Sequence, residues 1–150
     1  MKISCNDEDI QKAVSAIADG AIIIFPTDTV YGLGCNPYNR DSVLSLYEIK
    51  KREKTKPLPV IGYSKEELEK IVEFNPLEKK IAEKFWPGAI TLVLKVKDKE
   101  IQKSLELAEK IAVRVPDNQC VLALLKECKL LVGTSAVSYT HLTLPTILLL

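Results

Sequence analysis

Short runs of aliphatic residues alternate along this chain with longer segments in which hydrophobic residues recur every three or four positions. The short runs are rich in β-branched residues, as buried strands are, and the longer segments have the period of amphipathic helices. We therefore predict an α/β fold in which helices pack on a partly parallel sheet. The predicted strands are 21–25, 58–63, 89–96, 111–115 and 130–132, and the predicted helices are 7–19, a segment capped by Asp41 or Ser42, 64–72, 76–85 and a segment capped by Asp117.

Local signals refine these predictions. Pro59 has no N–H to donate, so the strand that contains it is expected at an edge of the sheet. Ser64 and Glu67 have the spacing of a capping box at the start of the third helix. Residues 26–36 are predicted to form a loop, and residues 101–110 either a short helix or a loop.

Length and composition are those of an ordinary globular protein, and a local basic face remains possible. The chain has 150 residues, which fits one domain, and its 47% hydrophobic and 27% charged residues are ordinary for a globular protein. A net charge of +1 gives no global field that would attract nucleic acid or a membrane.

The cysteines and the N-terminus indicate a reduced, cytoplasmic protein. Four cysteines lack C-x-x-C spacing and a single histidine is present, so no zinc site is expected. No signal-peptide pattern precedes the acidic residues near the N-terminus. We expect free thiols, mostly buried.

The segment Phe25-Pro26-Thr27-Asp28-Thr29-Val30-Tyr31-Gly32-Leu33-Gly34 is the first candidate site. It follows a predicted strand and combines hydroxyl, carboxylate and phenol groups with two glycines. Open α/β sheets bind ligands where strands end in such loops. A plain turn, in which the hydroxyls cap the next element, remains the alternative.

Three further positions carry candidate chemistry. Lys50 and Arg52 can clamp phosphates, or they can simply complement the dipole at a helix C-terminus. Arg114 lies within an apolar strand and needs an anionic partner, which a ligand or a protein carboxylate could supply. The segment 133–136 follows the last predicted strand and either binds an anion or turns into a capped helix.

Taken together, these segments resemble the YrdC/Sua5 family of threonylcarbamoyl-AMP synthases. The resemblance covers about residues 7–136 and rests on five ordered blocks: Phe-Pro-Thr-Asp-Thr-Val-Tyr-Gly-Leu at 25–33, Lys-x-Arg at 50–52 with Lys-Pro-Leu at 56–58, Trp-Pro-Gly-x-x-Thr at 86–91, Val-Arg-Val-Pro at 113–116 and Thr-Ser-Ala at 134–136. It implies a twisted mixed sheet with flanking helices and a concave basic cavity.

The resemblance also implies a reaction and its site residues. L-threonine, bicarbonate and ATP would give threonylcarbamoyl-AMP and pyrophosphate, for the N6-threonylcarbamoyl modification of tRNA adenosine. Thr27 and Arg114 would bind L-threonine, and Lys50, Arg52 and Ser135 would bind ATP. Mg²⁺ is expected with the nucleotide, no residue is assigned as an acid or base, and other proteins would transfer the product to tRNA.

The chain departs from the family pattern in places. The family motif at 135–137 would be Ser-Ala-Asn, but Val137 stands last, and family histidines are replaced at Ile61-Gly62 and Asp117-Asn118. We predict an incomplete family domain over 1–136 and a tail over 137–150 that is neither of the family nor native. Such a tail is too interrupted to span a membrane, and it puts the activity of a chain of this length in doubt.

Two other functions stay open at this point. The chain could be a non-catalytic module that binds double-stranded RNA through phosphate contacts. It could also be a weakly active relative with the same fold, which the residue at position 137 would permit.

Overall fold

The computed structural model describes residues 4–51, 57–106 and 109–135, together with a strand at 147–149. Its helices are α1 (Asp7–Ala18), α2 (Arg40–Lys50), α3 (Lys65–Glu69), α4 (Pro76–Phe85), α5 (Lys99–Ser104) and α6 (Gln119–Cys128). Its strands are β1 (Ile22–Phe25), β2 (Gly32–Cys35), β3 (Val60–Gly62), β4 (Leu92–Lys95), β5 (Lys110–Arg114), β6 (Leu130–Ser135) and β7 (Ile147–Leu149). None of the helices in these ranges is long and apolar enough to cross a membrane.

The strands form one mixed sheet in the order β4-β5-β3-β6-β2-β1-β7. The β3–β5 and β1–β7 pairs are parallel, and the other neighbouring pairs are antiparallel. The predicted α/β fold with a partly parallel sheet is therefore confirmed.

Side-chain caps explain where the helices begin. An Asn, Ser or Asp precedes each helix and accepts hydrogen bonds from N–H groups of its first turn, which would otherwise lack partners. Ser64 caps α3 as predicted. The cap of α2, Asn39, lies before the predicted Asp41 or Ser42, and the cap of α6, Asn118, lies one residue after the predicted Asp117. The caps are Asn6, Asn39, Ser64, Asn75, Asp98 and Asn118.

The sheet has an apolar layer on each face. Alternate residues of a strand point to opposite faces, so β6 contributes Leu131 to one layer and Val132 to the other. Helices α1 and α6 pack together and cover the face that carries Ile23, Phe25 and Ile61. The larger cluster lies on the opposite face and includes α2 residues such as Val43 and Leu46.

Strand β2 lies inside the segment that was predicted to be a loop. Its sequence, Gly-Leu-Gly-Cys, has two residues that are depleted in strands, so propensity gave no sign of it. Gly34 is needed there, because a Cβ at this position would lie 1.9 Å from the carbonyl oxygen of Val132. Tertiary pairing with β1 and β6 thus determines this strand.

Strand β3 is central, which corrects the predicted edge position. Pro59 lies just before the strand, so its missing N–H removes no hydrogen bond from the ladder. Its carbonyl group still contributes, because it accepts a hydrogen bond from the N–H of Gly133 at 2.9 Å. β3 pairs with β5 on one side and β6 on the other.

Other element boundaries also differ from the prediction. Strand β6 continues through Ser135, so Gly133 to Ser135 extend the strand and do not form a turn. The helix predicted over 64–72 ends at Glu69, and the strand predicted over 89–96 begins at Leu92.

A disulfide bond joins Cys5 to Cys120, which corrects the prediction of four free thiols. Cys5 lies just before α1, and Cys120 lies in the first turn of α6. Because α1 and α6 pack side by side, they bring together two cysteines that are 115 residues apart in sequence. Cys35 and Cys128 are free thiols.

Candidate functional site

A pocket of about 330 Å³ is lined by residues of β1, β2, β3, β5 and β6 and of two loops. One loop is residues 26–31, which we call the Thr27 loop, and the other is residues 86–91, which we call the Trp86 loop. The pocket is lined by Phe25, Thr27, Thr29, Val30, Tyr31, Gly32, Pro59, Val60, Ile61, Ala89, Thr91, Arg114, Gly133, Thr134 and Ser135.

The strand register explains why distant residues meet here. Ile61 is paired with Arg114 of β5 and with Leu131 of β6, so these three side chains point to the same face. Ser135 lies on that face as well, because it is four residues after Leu131. The pocket therefore lies on the face of the sheet that carries α1 and α6.

Arg114 is the charged centre of the pocket wall. Its Nη1 donates hydrogen bonds to Asp28 Oδ1 at 2.9 Å and to the carbonyl oxygen of Gly88 at 3.3 Å. The side chains of Arg114 and Asp28 are only 13% and 17% exposed. A protein carboxylate thus supplies one partner of the arginine, which was one of the two alternatives left open by the sequence.

Thr27 lines the pocket, but its hydroxyl group closes its own loop. The Oγ1 atom accepts hydrogen bonds from the N–H groups of Thr29 and Val30, both at 3.2 Å, and donates to the carbonyl group of Val30. A further contact of Oγ1, with the hydroxyl oxygen of Thr29 at 3.2 Å, lies within the same loop. The structure therefore shows Thr27 shaping the loop that carries Asp28.

Lys50 and Ser135 meet beside the pocket. Lys50 is the last residue of α2, and its Nζ donates a hydrogen bond of 2.6 Å to the carbonyl oxygen of Ser135. A primary ammonium group is thereby placed next to the end of β6 and the pocket wall. Arg52, the other predicted phosphate-binding residue, lies outside the residues that the structure describes.

The Trp86 loop is attached to β5 at the position of Arg114. The N–H of Gly88 donates to the carbonyl oxygen of Val115 at 2.8 Å, and the carbonyl oxygen of Gly88 accepts from Arg114. Within the loop, Trp86 Nε1 donates to the carbonyl oxygen of Ile90 at 2.7 Å. These bonds hold Ala89 and Thr91 against the pocket.

The structure brings four of the five predicted site residues to one place. Thr27, Arg114 and Ser135 line the pocket, and Lys50 touches Ser135. Asp28 and Gly88 were not predicted as site residues. Asp28 belongs to the candidate segment 25–34, but nothing in the sequence showed that it pairs with an arginine 86 residues away.

No Asp or Glu is among the described residues that line the pocket. Within the ranges that the structure describes, no three Asp, Glu, His or Cys side chains are grouped so that they could hold a metal ion. The carboxylate of the Thr27 loop, Asp28, is engaged by Arg114. A cation that reached this pocket would need most of its ligands from a bound anion such as a phosphate chain.

With this geometry established, comparison with known proteins identifies the family. The family model Sua5_yciO_yrdC, described as "Telomere recombination", matches residues 15–147. The chain belongs to this family. The match extends past residue 136, and the nature of residues 137–150 stays a prediction.

Curated relatives agree with this assignment. The chain is 34% identical over 97% of its length to a threonylcarbamoyl-AMP synthase of Bacillus subtilis (strain 168), of which it covers 42%. It is 37% identical over 77% of its length to a putative threonylcarbamoyl-AMP synthase of Methanocaldococcus jannaschii, of which it covers 57%. The chain thus spans about half the length of these relatives.

Solved structures share the fold. Sua5 of P. abyssi, in a crystal structure complexed with L-threonine, superposes with a TM-score of 0.81 at 31% identity, over 91% of this chain and 41% of that one. E. coli YciO superposes with a TM-score of 0.83 at 22% identity, over 96% of this chain and 78% of that one. The twisted mixed sheet with flanking helices is therefore the fold of the family.

Proposed function

We propose that this chain carries the active site of an L-threonylcarbamoyladenylate synthase. The observation that carries the proposal is Arg114 in the pocket wall, between the Thr27 loop and Ser135, with Lys50 beside Ser135. An arginine in a mostly buried wall suits a carboxylate ligand, and an ammonium group at the pocket edge suits phosphates. The names of the relatives support this choice of reaction.

The reaction needs orientation and charge neutralisation more than a strong base. The amine of L-threonine takes up CO2 from bicarbonate, which forms a carbamate and releases water. A carbamate oxygen then attacks the α-phosphorus of ATP, the bond to the bridging oxygen breaks, and pyrophosphate leaves. Holding the two substrates in line supplies much of the rate of such a step.

Each site residue has a proposed part in that step. Arg114 binds the carboxylate of L-threonine, and the Thr27 loop forms the adjoining wall of the amino-acid site. Lys50, Arg52 and Ser135 bind the nucleotide and neutralise the charge of its phosphates. Placing an ammonium and a guanidinium group at the phosphates stabilises the charge that develops on the leaving pyrophosphate.

Magnesium enters this scheme with the substrate. ATP reaches the site as its Mg²⁺ complex, in which phosphate oxygens and water supply most of the ligands. This fits a pocket whose nearby carboxylate, Asp28, is already engaged by Arg114.

The product and its location complete the proposal. Threonylcarbamoyl-AMP is passed to a threonylcarbamoyl-transferase complex that modifies tRNA, so we place the protein in the cytoplasm. Direct RNA or tRNA binding is the alternative role, and a net charge of +1 gives it no specific support.

Pyrophosphate release from ATP by the full 150-residue chain tests the proposal. We expect release that requires both L-threonine and bicarbonate and that is lost in Arg114→Ala. Binding of double-stranded RNA by the same variant is the control, because a phosphate-binding RNA module has no use for this arginine. A folded chain that releases no pyrophosphate, or releases it without L-threonine, would rule the activity out.

A further inference from the structure

The Asp28–Arg114 ion pair joins the segments that build the pocket. Asp28 belongs to the Thr27 loop, Arg114 to β5, and Gly88, the second acceptor of Arg114, to the Trp86 loop. The same arginine side chain therefore fixes the relative positions of two loops and a strand. Its two partners are 86 and 26 residues away in sequence.

The Asp28–Arg114 ion pair is mostly buried, so each charged group depends on its partner. The Arg114 side chain is 13% exposed, and a guanidinium group with so little water around it needs acceptors in fixed positions. Asp28 is the charged acceptor, and its own side chain is 17% exposed. Without Asp28, the guanidinium group would retain one carbonyl partner at 3.3 Å and could turn toward solvent.

The hydrogen-bond pattern also selects which edge of the guanidinium group can bind a ligand. Both bonds are made by Nη1, which carries two hydrogens, so that nitrogen is fully used. Nε and Nη2 make no hydrogen bond to any residue that the structure describes. These two nitrogens form a planar fork that matches a carboxylate, and such paired bonds are strong and directional.

We propose that Asp28 is a positioning residue, which holds Arg114 so that its Nε–Nη2 edge reads the carboxylate of the amino-acid substrate. Asp28 acts through Arg114 and does not touch the substrate itself. The proposal rests on the proposed function, in which Arg114 binds L-threonine.

Hydrogen bonding and charge have opposite effects at this position, which makes the proposal testable. The hydrogen bond from Arg114 to Asp28 sets the orientation of the arginine, whereas the negative charge of Asp28 opposes binding of a second carboxylate. Asp28→Asn keeps an oxygen acceptor of the same shape and removes the charge. Asp28→Ala removes both, so the two variants separate orientation from charge.

The experiment measures binding of L-threonine and of L-threoninamide, which lacks the negative charge, by calorimetry on the full chain. We expect the unaltered chain to prefer L-threonine by about tenfold or more, since hydrogen bonds between charged groups are strong. In Asp28→Ala the ratio of the two affinities falls toward one, because the affinity for L-threonine drops about tenfold while the affinity for L-threoninamide changes little. Asp28→Asn retains the preference and binds L-threonine at least as tightly as the unaltered chain.

A matched control removes a similar ion pair away from the pocket. On α3, Lys65 Nζ lies 2.7 Å from Glu69 Oε1. Glu69→Ala is expected to leave the affinities for L-threonine and for L-threoninamide unchanged. Thermal unfolding of each variant reports whether the fold persists. If Asp28→Ala weakens both ligands equally together with stability, Asp28 is only structural and the inference is overturned.

The remaining outcomes separate this inference from the proposed function. An unchanged preference in Asp28→Ala, or tighter binding of L-threonine to it, overturns the positioning role and leaves the proposed function intact. Failure of the unaltered chain to distinguish the two ligands would instead contradict the carboxylate-binding role of Arg114 and, with it, the inference.

Discussion

The Nζ of Lys50 donates a 2.6 Å hydrogen bond to the carbonyl oxygen of Ser135, which fixes the end of α2 at the end of β6. Lys50 lies 85 residues before Ser135, so this contact forms only in the assembled sheet. It places a positive charge next to Ser135, which lines the pocket.

Replacing Lys50 tests whether this charge serves the nucleotide. We expect Lys50→Ala to lower ATP affinity by at least about tenfold, because a charge-assisted bond to phosphate is lost. The neighbouring Lys51 provides the matched control, since it carries the same charge just beyond α2. Titration of both variants with ATP is the measurement, and an equal loss in both would show that only the general charge of this region matters.

Thr27 is predicted to act through the shape of its loop. Thr27→Val removes every hydrogen bond of the hydroxyl group and should weaken L-threonine binding by about tenfold, because the loop no longer presents Asp28 to Arg114. Thr27→Ser keeps the hydroxyl group and should restore binding. If Thr27→Val binds L-threonine as tightly as the unaltered chain, the hydroxyl group does not shape the binding site.

Gly34 is predicted to be essential for pairing of β2 with β6. Gly34→Ala places a Cβ 1.9 Å from a backbone oxygen, so the strands must move apart, and we expect a loss of about 1–3 kcal/mol in the free energy of unfolding. Gly133 is the control, because a Cβ there would meet Ile61 at an ordinary 3.5 Å. Denaturant unfolding compares the two variants, and equal stability would contradict the close approach of the strands.

The four cysteines should differ sharply in reactivity. Burial raises the pKa of Cys35 and of Cys128 to about 12, so almost no thiolate forms near neutral pH. Iodoacetamide at pH 8 should therefore label neither residue quickly in the folded chain. Mild reduction should release Cys5 and Cys120, and the exposed Cys5 should be labelled first. Rapid labelling of Cys5 before reduction would contradict the disulfide.

Much of the fold follows from hydrophobic period and capping chemistry. Helix α4 has the predicted bounds, since Pro76 and the residues around it carry strong start signals and Trp86-Pro87-Gly88 ends the helix. The parts that the sequence did not reveal depend on partners far along the chain. Strand β2 is formed by its neighbours, and the central position of β3 depends on where Pro59 falls relative to the ladder.

In the site, too, residue types could be predicted from local motifs, whereas contacts between distant segments could not. Thr27, Lys50, Arg114 and Ser135 could be selected by residue type and motif, and the structure brings them together. The ion pair of Asp28 with Arg114 could not be predicted, because it depends on loop geometry. Nor could the sequence show that the hydroxyl group of Thr27 is used within its own loop.

The pairing of Leu33 with Thr134 has a consequence for the order of folding. The hairpin of β1 and β2 can form early. The other edge of β2 can pair only after β6, about a hundred residues further along the chain, has been synthesised. Contacts so distant in sequence slow folding, because the entropy of closing a long loop is lost before they form. During synthesis, the first strands would therefore leave the ribosome with an unsatisfied edge, and ligand binding would appear only when β6 docks.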